Sequence, residues 1–339
     1  MTGTPPTLSG ESSSAGSAPS ADPTGRRETQ SAPTLTVVIC AYTLDRWDDI
    51  RAAVDSLRRQ THRPAEVVLV SDHNDELLER SRAEFPDVAV VANTGPRGLS
   101  GARNTGVALA TAEVVAFLDD DAAADPHWAE RLLDAYSDSR VLGVGGGVAP
   151  SWRAPRPAWF PDEFLWVVGC SYEGLPGTRA EVRNPIGANM SFRREVFDVA
   201  GGFDANIGRL GKDAAGCEET EFSIRARRLL PEGRILVEPA ATCLHNVTSE
   251  RVSRSYFRRR CRAEGRSKAL VSRLTDPGSA LASERVYMVR TLPRGIARGL
   301  RDLARGDRSG GARAWAIVEG TALTVSGYVV GRLRQAPAS

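Results

Sequence analysis

The sequence predicts an α/β protein: a mostly parallel sheet with helices on both faces, followed by a C-terminal helical extension. Three observations carry that expectation. From Leu35 to Leu118, short apolar runs alternate with segments of helical periodicity, the order that closes into a parallel sheet with right-handed crossovers. Those runs are continuous rather than alternating, as in Val114-Val-Ala-Phe-Leu118, which suits strands covered on both faces. Beyond about residue 250 the strand pattern gives way to arginine-rich stretches at helical spacing.

The chain has 339 residues, 41% hydrophobic and 25% charged, enough for one large domain with an appendage. Residues 1–33 are rich in Ser, Pro, Gly, Thr and Ala; they bury too little to offset their ordering entropy and lack the apolar core of a signal peptide, so a disordered tail is expected. Residues 34–250 form the expected α/β domain and 251–339 a basic helical extension. The formal charge of +2 argues neither for nor against a polyanion, and no nucleic acid is expected as a partner. Five widely spaced cysteines with no C-x-x-C pair read as reduced thiols in a cytoplasmic protein rather than a disulfide frame or zinc site.

Each element has its own signal. Thr36 to Tyr42 is the first strand, and Asp45 is the expected cap of a helix whose Trp47, Ile50, Val54 and Leu57 fall on one face. Glu66 to Ser71 is the second strand, ending at Asp72; a helix over Glu76 to Ala83 leads to the third, Val88 to Val91. The Gly95 to Gly98 turn opens a helix over Ala102 to Ala110, and Val114 to Leu118 is the fourth strand. Asp125-Pro126 reads as an N-cap with proline at the first helical position, opening a helix through Tyr136. Leu142 to Val148, with Gly145, Gly146 and Gly147, reads as a strand that another backbone or a ligand approaches closely. Ile235 to Glu238 is a later strand, and Asp198 to Gly202 a helix end and turn.

Asp119, Asp120 and Asp121 follow the fourth strand directly, at the carboxyl edge where open α/β sheets bind ligands. Three adjacent carboxylates repel one another, and a cluster of hard oxygen donors suits Mg²⁺ or Mn²⁺; a solvated acidic turn is the plain alternative. Asp72 lies on the same edge, where it could accept hydrogen bonds from a base or ribose. Together the two strand ends describe a site for a nucleoside diphosphate.

At this point the chain resembles family 2 glycosyltransferases of the GT-A fold, from Thr36 to about His245. The matching pieces are Val37-Val-Ile-Cys-Ala-Tyr42, Val68-Leu-Val-Ser-Asp72, Gly98-Leu-Ser-Gly-Ala-Arg-Asn-Thr-Gly106, Phe117-Leu-Asp-Asp-Asp121 and Gly216-Cys-Glu-Glu-Thr-Glu-Phe222. The resemblance implies a D-x-D motif at Asp119-Asp120-Asp121 binding the metal and the diphosphate of a nucleotide sugar, with Tyr42 and Asp72 on the donor side. It implies a general base at Glu219, with Glu218 second, and inversion at the anomeric carbon. Two departures stand out: His73-Asn74 follows Asp72 where the family has a second Asp and Gly-Ser, and Glu218-Glu219 replaces Glu-Asp. The first leaves the base open, and the second keeps a carboxylate.

Other candidates carry alternatives. Three glutamates at Glu218, Glu219 and Glu221 suit a helix N-terminus, yet are more than a helix start needs. His245 could complete the metal shell beside Asp119 and Asp121, or be structural. Arg103 could contact the diphosphate from a helix start. Gly187 and Ala188 allow close approach to a sugar whose hydroxyls Asn189 could bond. Trp152, Trp159, Phe160 and Trp166 lie in an irregular stretch; Trp166 could stack on an acceptor, and packing beneath the loop is the other reading.

In the extension, Arg258, Arg259, Arg260 and Arg262 make a basic patch that could face the nucleotide or an acidic acceptor. Arg290, Arg294, Arg298, Arg301, Arg305 and Arg308 recur at helical spacing, with Ile296, Leu300 and Leu303 across from them and Pro293, Gly295 and Gly299 weakening the helix. Residues 314–331 are apolar but marginal as a membrane span. An anionic membrane surface is the partner this pattern suggests, at the cytoplasmic face; a helical cap with a solvated arginine face is the alternative. The functional expectation is a metal-dependent inverting glycosyltransferase acting on a glycan or lipid-linked glycan. A nucleotidyltransferase would want a glycine-rich phosphate loop where Ala41-Tyr-Thr-Leu-Asp45 stands, and a non-catalytic carbohydrate-binding scaffold of the same fold would not need Glu218 and Glu219.

Overall fold

The computed structural model describes residues 32–205, 207, 216–274 and 285–333; residues 1–31 of the expected tail lie outside them. The first half alternates as expected: β1 (Leu35–Ala41), α1 (Trp47–Arg58), β2 (Glu66–Ser71), α2 (Asp75–Glu84), β3 (Ala89–Ala92), α3 (Leu99–Leu109) and β4 (Val114–Asp119). Then come β5 (Ala122–Ala124), α4 (Trp128–Asp134), β6 (Val141–Trp152), β7 (Ala180–Glu181), β8 (Asn189–Arg193), α5 (Arg194–Ala200), α6 (Glu218–Leu229) and β9 (Arg234–Val247). Three long helices close the chain: α7 (Arg254–Leu274), α8 (Leu292–Ala304) and α9 (Arg308–Leu333).

Among the described residues the strands form one sheet in the order β3-β2-β1-β4-β8-β6-β9-β5, with β7 paired to β9. The β3-β2-β1-β4 half is parallel. The other half is mixed: β8 runs antiparallel to both β4 and β6, while β6 and β9 are parallel. Successive residues of β1 show why its apolar run is unbroken. Val37 and Ile39 join a core with Ile50 and Val54 of α1, whereas Val38 faces the opposite core with Ala102 of α3. That second core is closed by α5 and α6, where Phe197 stacks on Phe222 with ring centroids 4.8 Å apart.

Several boundaries move for local reasons. Thr43, not Asp45, caps the turn before α1, its hydroxyl accepting from the Asp45 N–H at 3.2 Å. The helix expected at Asp125-Pro126 starts at Trp128. The Asp125 N–H donates to the Thr242 carbonyl at 2.9 Å, and its carboxylate accepts from the His127 N–H at 3.0 Å, making a turn instead. On α6, Phe222 and Ala226 are buried while Leu229 is exposed. The glycines of β6 meet other backbone, as expected: a Cβ on Gly146 would collide with the Ala241 carbonyl and the Asn189 amide.

The irregular aromatic stretch resolves toward packing. Trp159, Phe160 and Phe257 of α7 form an edge-on cluster, and Phe164 stacks against it. Helix α9 lies against α7 so closely that a Cβ on Gly327 would strike the Arg262 backbone. No described helix is long and apolar enough to cross a membrane.

Candidate active site

The acidic cluster is the three-residue link in which β4 ends and β5 begins. Its surroundings come from the mixed half of the sheet. Pairing of β5 with β9 sets Ala122 opposite His245, and the Asn246 N–H donates to the Asp121 carbonyl at 2.8 Å, so the histidine is delivered beside the carboxylates. His245 Nε2 lies 3.1 Å from Asp121 Oδ1 and 4.0 Å from Asp119 Oδ2. One ligand atom from each of Asp119, Asp121 and His245 falls within 4.8 Å of the others.

The electrostatics of this triad favour one positive charge, which the proton on His245 supplies here and which a bound metal would replace. Burial opposes charge on the His245 imidazole, but the neighbouring Asp121 carboxylate overrides it and raises its pKa to about 10. Burial likewise works against the Asp121 carboxylate, which His245, Arg251 and Arg46 nonetheless hold well below the usual range. Asp121 Oδ2 is gripped by Arg251 at 3.2 Å and Arg46 at 3.3 Å. Its Oδ1 is buried without a properly directed hydrogen bond, although His245 is within ion-pair distance. A buried oxygen aimed at a point shared with a second carboxylate and an imidazole fits a divalent ion; the arrangement could hold Mg²⁺ or Mn²⁺.

Asp120 turns away from this point. It is buried and paired with Arg46 at 2.6 Å, which offsets only part of the burial that pushes its carboxyl up. One of its oxygens is thereby held by Arg46, while Oδ2 is buried without a hydrogen-bond partner.

The acidic helix start faces the same cavity. Arg103, fully buried on the second turn of α3 rather than at its start, donates to Glu218 Oε1 at 2.6 Å and to the Gly187 carbonyl at 3.0 Å, and lies 3.7 Å from Asp119. Its guanidinium is thus committed to the protein, which corrects the expectation that it reaches for phosphate from a helix terminus. Of the three glutamates, Glu218 belongs to Arg103 and Glu221 to Arg225, at 2.7 and 2.8 Å. Glu219 pairs with no arginine among the described residues. It accepts from the Thr220 hydroxyl at 3.1 Å, and burial, followed by the charge of Glu218, pushes it up to about 7.

Asp119, Arg103, Gly187, Glu219, His245 and Trp166 all line one cavity of about 1160 Å³ that continues under α7 and α9. Trp166 is half-buried, its indole N–H 3.3 Å from the Tyr287 hydroxyl. Of the basic patch, Arg260 faces this cavity and pairs with Glu264 at 3.0 Å. Arg258 instead binds Glu319 at 2.6 Å, Arg259 sits over Tyr256, and Arg262 is exposed. The patch therefore does not act as one surface.

Two expected residues sit elsewhere on the edge. Asp72, buried, accepts from the Gly98 N–H at 2.9 Å and the Asn93 amide at 2.7 Å, tying the Gly95–Gly98 turn to β2. Tyr42 is exposed at the end of β1, with the Arg46 guanidinium 5.5 Å from its ring centroid. Neither borders the large cavity. Asn189 requires a correction: it is fully buried. Its carbonyl oxygen accepts from Trp128 at 2.8 Å, and its amide donates to Gly147 and Ala241, each at 2.9 Å. With donor and acceptor both engaged in the core, it has nothing to offer a sugar.

Arg46, Arg251 and Cys170, whose sulfur is 3.8 Å from His245 Nδ1, are the site residues that sequence reasoning missed. Arg251 reaches Asp121 across 130 positions, and no local spacing signals such a contact.

Comparison with known proteins gives the family and the fold. Residues 36–201 match the family described as Glycosyl transferase family 2. A glucosyl-dolichyl phosphate glucuronosyltransferase of Haloferax volcanii is 36% identical over 249 residues, covering 72% of this chain and 79% of that one. Among solved structures, a mannosyltransferase from Pyrobaculum calidifontis, in complex with GDP-Man and Mn²⁺, aligns with a TM-score of 0.59 at 19% identity, over 91% of this chain and 89% of that one. A GalNAc-T7 with UDP, GalNAc and Mn²⁺ aligns with a TM-score of 0.50 at 21% identity, over 74% and 51%. The fold is GT-A.

Proposed function

The chain belongs to glycosyl transferase family 2, and on that premise we propose that it moves a sugar from a nucleoside diphosphate sugar to a hydroxyl of a lipid-linked glycan, inverting the anomeric carbon. One observation carries the reading: Asp119 and His245 of the triad line one cavity with Glu219, the glutamate without an arginine partner, and Arg103 joins Asp119 to the neighbouring Glu218. The triad is assigned to Mg²⁺ or Mn²⁺, and a cation held there would offset the charge that develops on the departing diphosphate.

Chain residues do the rest. Glu219 takes the proton of the acceptor hydroxyl as its oxygen attacks the anomeric carbon. The new glycosidic bond forms as the bond to phosphate breaks, and the electron pair leaves with the diphosphate. Burial and the neighbouring Glu218, itself paired with Arg103, keep Glu219 basic. Asp72 stands two strands from Asp119, roughly 10 Å at ordinary strand spacing, a separation that suits the nucleoside end of the donor. Trp166 offers a ring face to an acceptor sugar. The lipid-linked acceptor is argued from the Haloferax volcanii relative, named for acting on a glucosyl-dolichyl phosphate. It puts the reaction at a membrane surface, on the cytoplasmic side, where five free thiols are at home.

Two variants test the roles separately. Asp121→Asn is expected to abolish Mn²⁺-dependent binding of the donor, read by calorimetry against UDP-, GDP- and dTDP-sugars. Glu219→Gln is expected to leave that binding intact and to lower kcat by about 10²–10⁴-fold. Unchanged donor affinity in the first, or full turnover in the second, removes that residue from its role.

A further inference from the structure

The geometry points to an anionic lipid surface as the partner of the C-terminal helices, with the cavity opening beside that contact. The inference rests on the reading of a lipid-borne acceptor and adds where the acceptor arrives.

Helix α9 buries a face of small residues, Gly310, Ala314, Gly320, Gly327 and Gly331, and so packs closely onto its neighbours. Its opposite side is left bare: Trp315, Val318, Val325, Val329 and Leu333 are exposed, Trp315 by 61% and Leu333 by 70%. Their spacing of three, seven, four and four makes one stripe along five turns, longer than the scattered apolar residues that soluble surfaces tolerate. The turn ahead of α8 adds Val286, Met288 and Val289, the last 71% exposed. On α8 the exposed Leu300 projects between the buried Leu292–Gly299 edge and the arginines.

Charge selects among occupants. Arg290, Arg294, Arg301, Arg305 and Arg308 are exposed and make no ion pair among the described residues. The two nearby acids do not offset them, because Asp302 and Asp307 both bind Arg313, at 2.9 and 2.8 Å. A second copy would set this arginine row against its equal. Anionic headgroups neutralise it while the apolar stripe enters the acyl boundary, the mode of a helix lying in the interface. Since no described helix is long and apolar enough to cross a membrane, the helices lie on the surface.

The same face meets the cavity. Val286, Met288, Val325 and Tyr328 line it together with Glu219, so a lipid tail can stay in the bilayer while its sugar end reaches the base.

Co-sedimentation of the full chain with phosphatidylcholine vesicles, with and without phosphatidylglycerol, tests this without donor present. Wild type is expected to pellet with the anionic vesicles and to be released by salt. Arg294→Glu/Arg301→Glu is expected to weaken that binding at least about tenfold, and Val289→Glu/Trp315→Glu to weaken it comparably. Both double variants should keep wild-type transfer to a short-chain, water-soluble acceptor, which also shows that they fold. Wild type staying in the supernatant, or both variants binding undiminished, overturns the proposal. So does a dimer in sedimentation velocity that these substitutions dissolve, since a second copy then covers the face. Vesicle binding without any transfer to a lipid-linked acceptor would leave the docking standing and sink the acceptor reading instead.

Discussion

Asp121 is buried and Glu219 half-buried, and their surroundings push the two carboxylates in opposite directions. Asp121, ringed by Arg46, Arg251 and His245, is kept ionised; Glu219, desolvated and beside Glu218, is pushed up to about 7 despite the charge of Arg103. A base must be unprotonated to act, so its raised value sets an acid limb. The expected profile of kcat/KM falls as pH drops through about 7, where an ordinary glutamate would stay active down to about 4.3. A pH–rate series settles it, and activity undiminished at pH values well below that limb takes the base role from Glu219. This environment was only partly legible in the chain. The Asp119–Asp121 run and the three glutamates announce themselves as local charge clusters, and Arg225 four residues after Glu221 is a local pairing; but which of Glu218 and Glu219 lacks an arginine depends on Arg103 arriving from α3.

Among the elements, β8 shows what the pattern could not reveal. Its run from Asn189 to Arg193 carries three polar residues, two of them fully buried, and an antiparallel neighbour of β4 has no signature distinct from loop. Strand β5 is three alanines, which favour helix on propensity alone; pairing with β9 overrides that. The parallel half, by contrast, was readable because unbroken Val/Ile/Leu runs have few other places to go. Asn189 is the hinge of the hidden half, bridging β6, β9 and α4. Asn189→Leu, near in volume, would leave the Trp128 N–H and two carbonyls without partners. At about 1–3 kcal/mol for each buried group, the expected loss is several kcal/mol in urea unfolding. A loss within experimental error would mean that the strands are held by packing alone.

For the whole molecule, the C-terminal helices are both cover and candidate docking surface. A Cβ on Gly320 of α9 would collide with Phe164 and Phe257, so the helix closes the aromatic cluster that the sequence had left between two readings. Removing residues 308–339 is therefore expected to lower the thermal midpoint and expose dye-binding apolar surface, measured by calorimetry and ANS fluorescence. An unchanged midpoint would make α9 a loosely attached arm. For the same reason substitutions on its outer stripe separate membrane contact from stability better than truncation does.

Arg103 spans the short gap between the carboxylate that would carry the metal and the glutamate pair that would handle the acceptor. One rigid fork thereby sets the register between the two reactants: a shift at either end strains the other, and neither can be seated in isolation. In the proposed reaction, sugar and hydroxyl would be brought into line by the same planar group, before any proton moves.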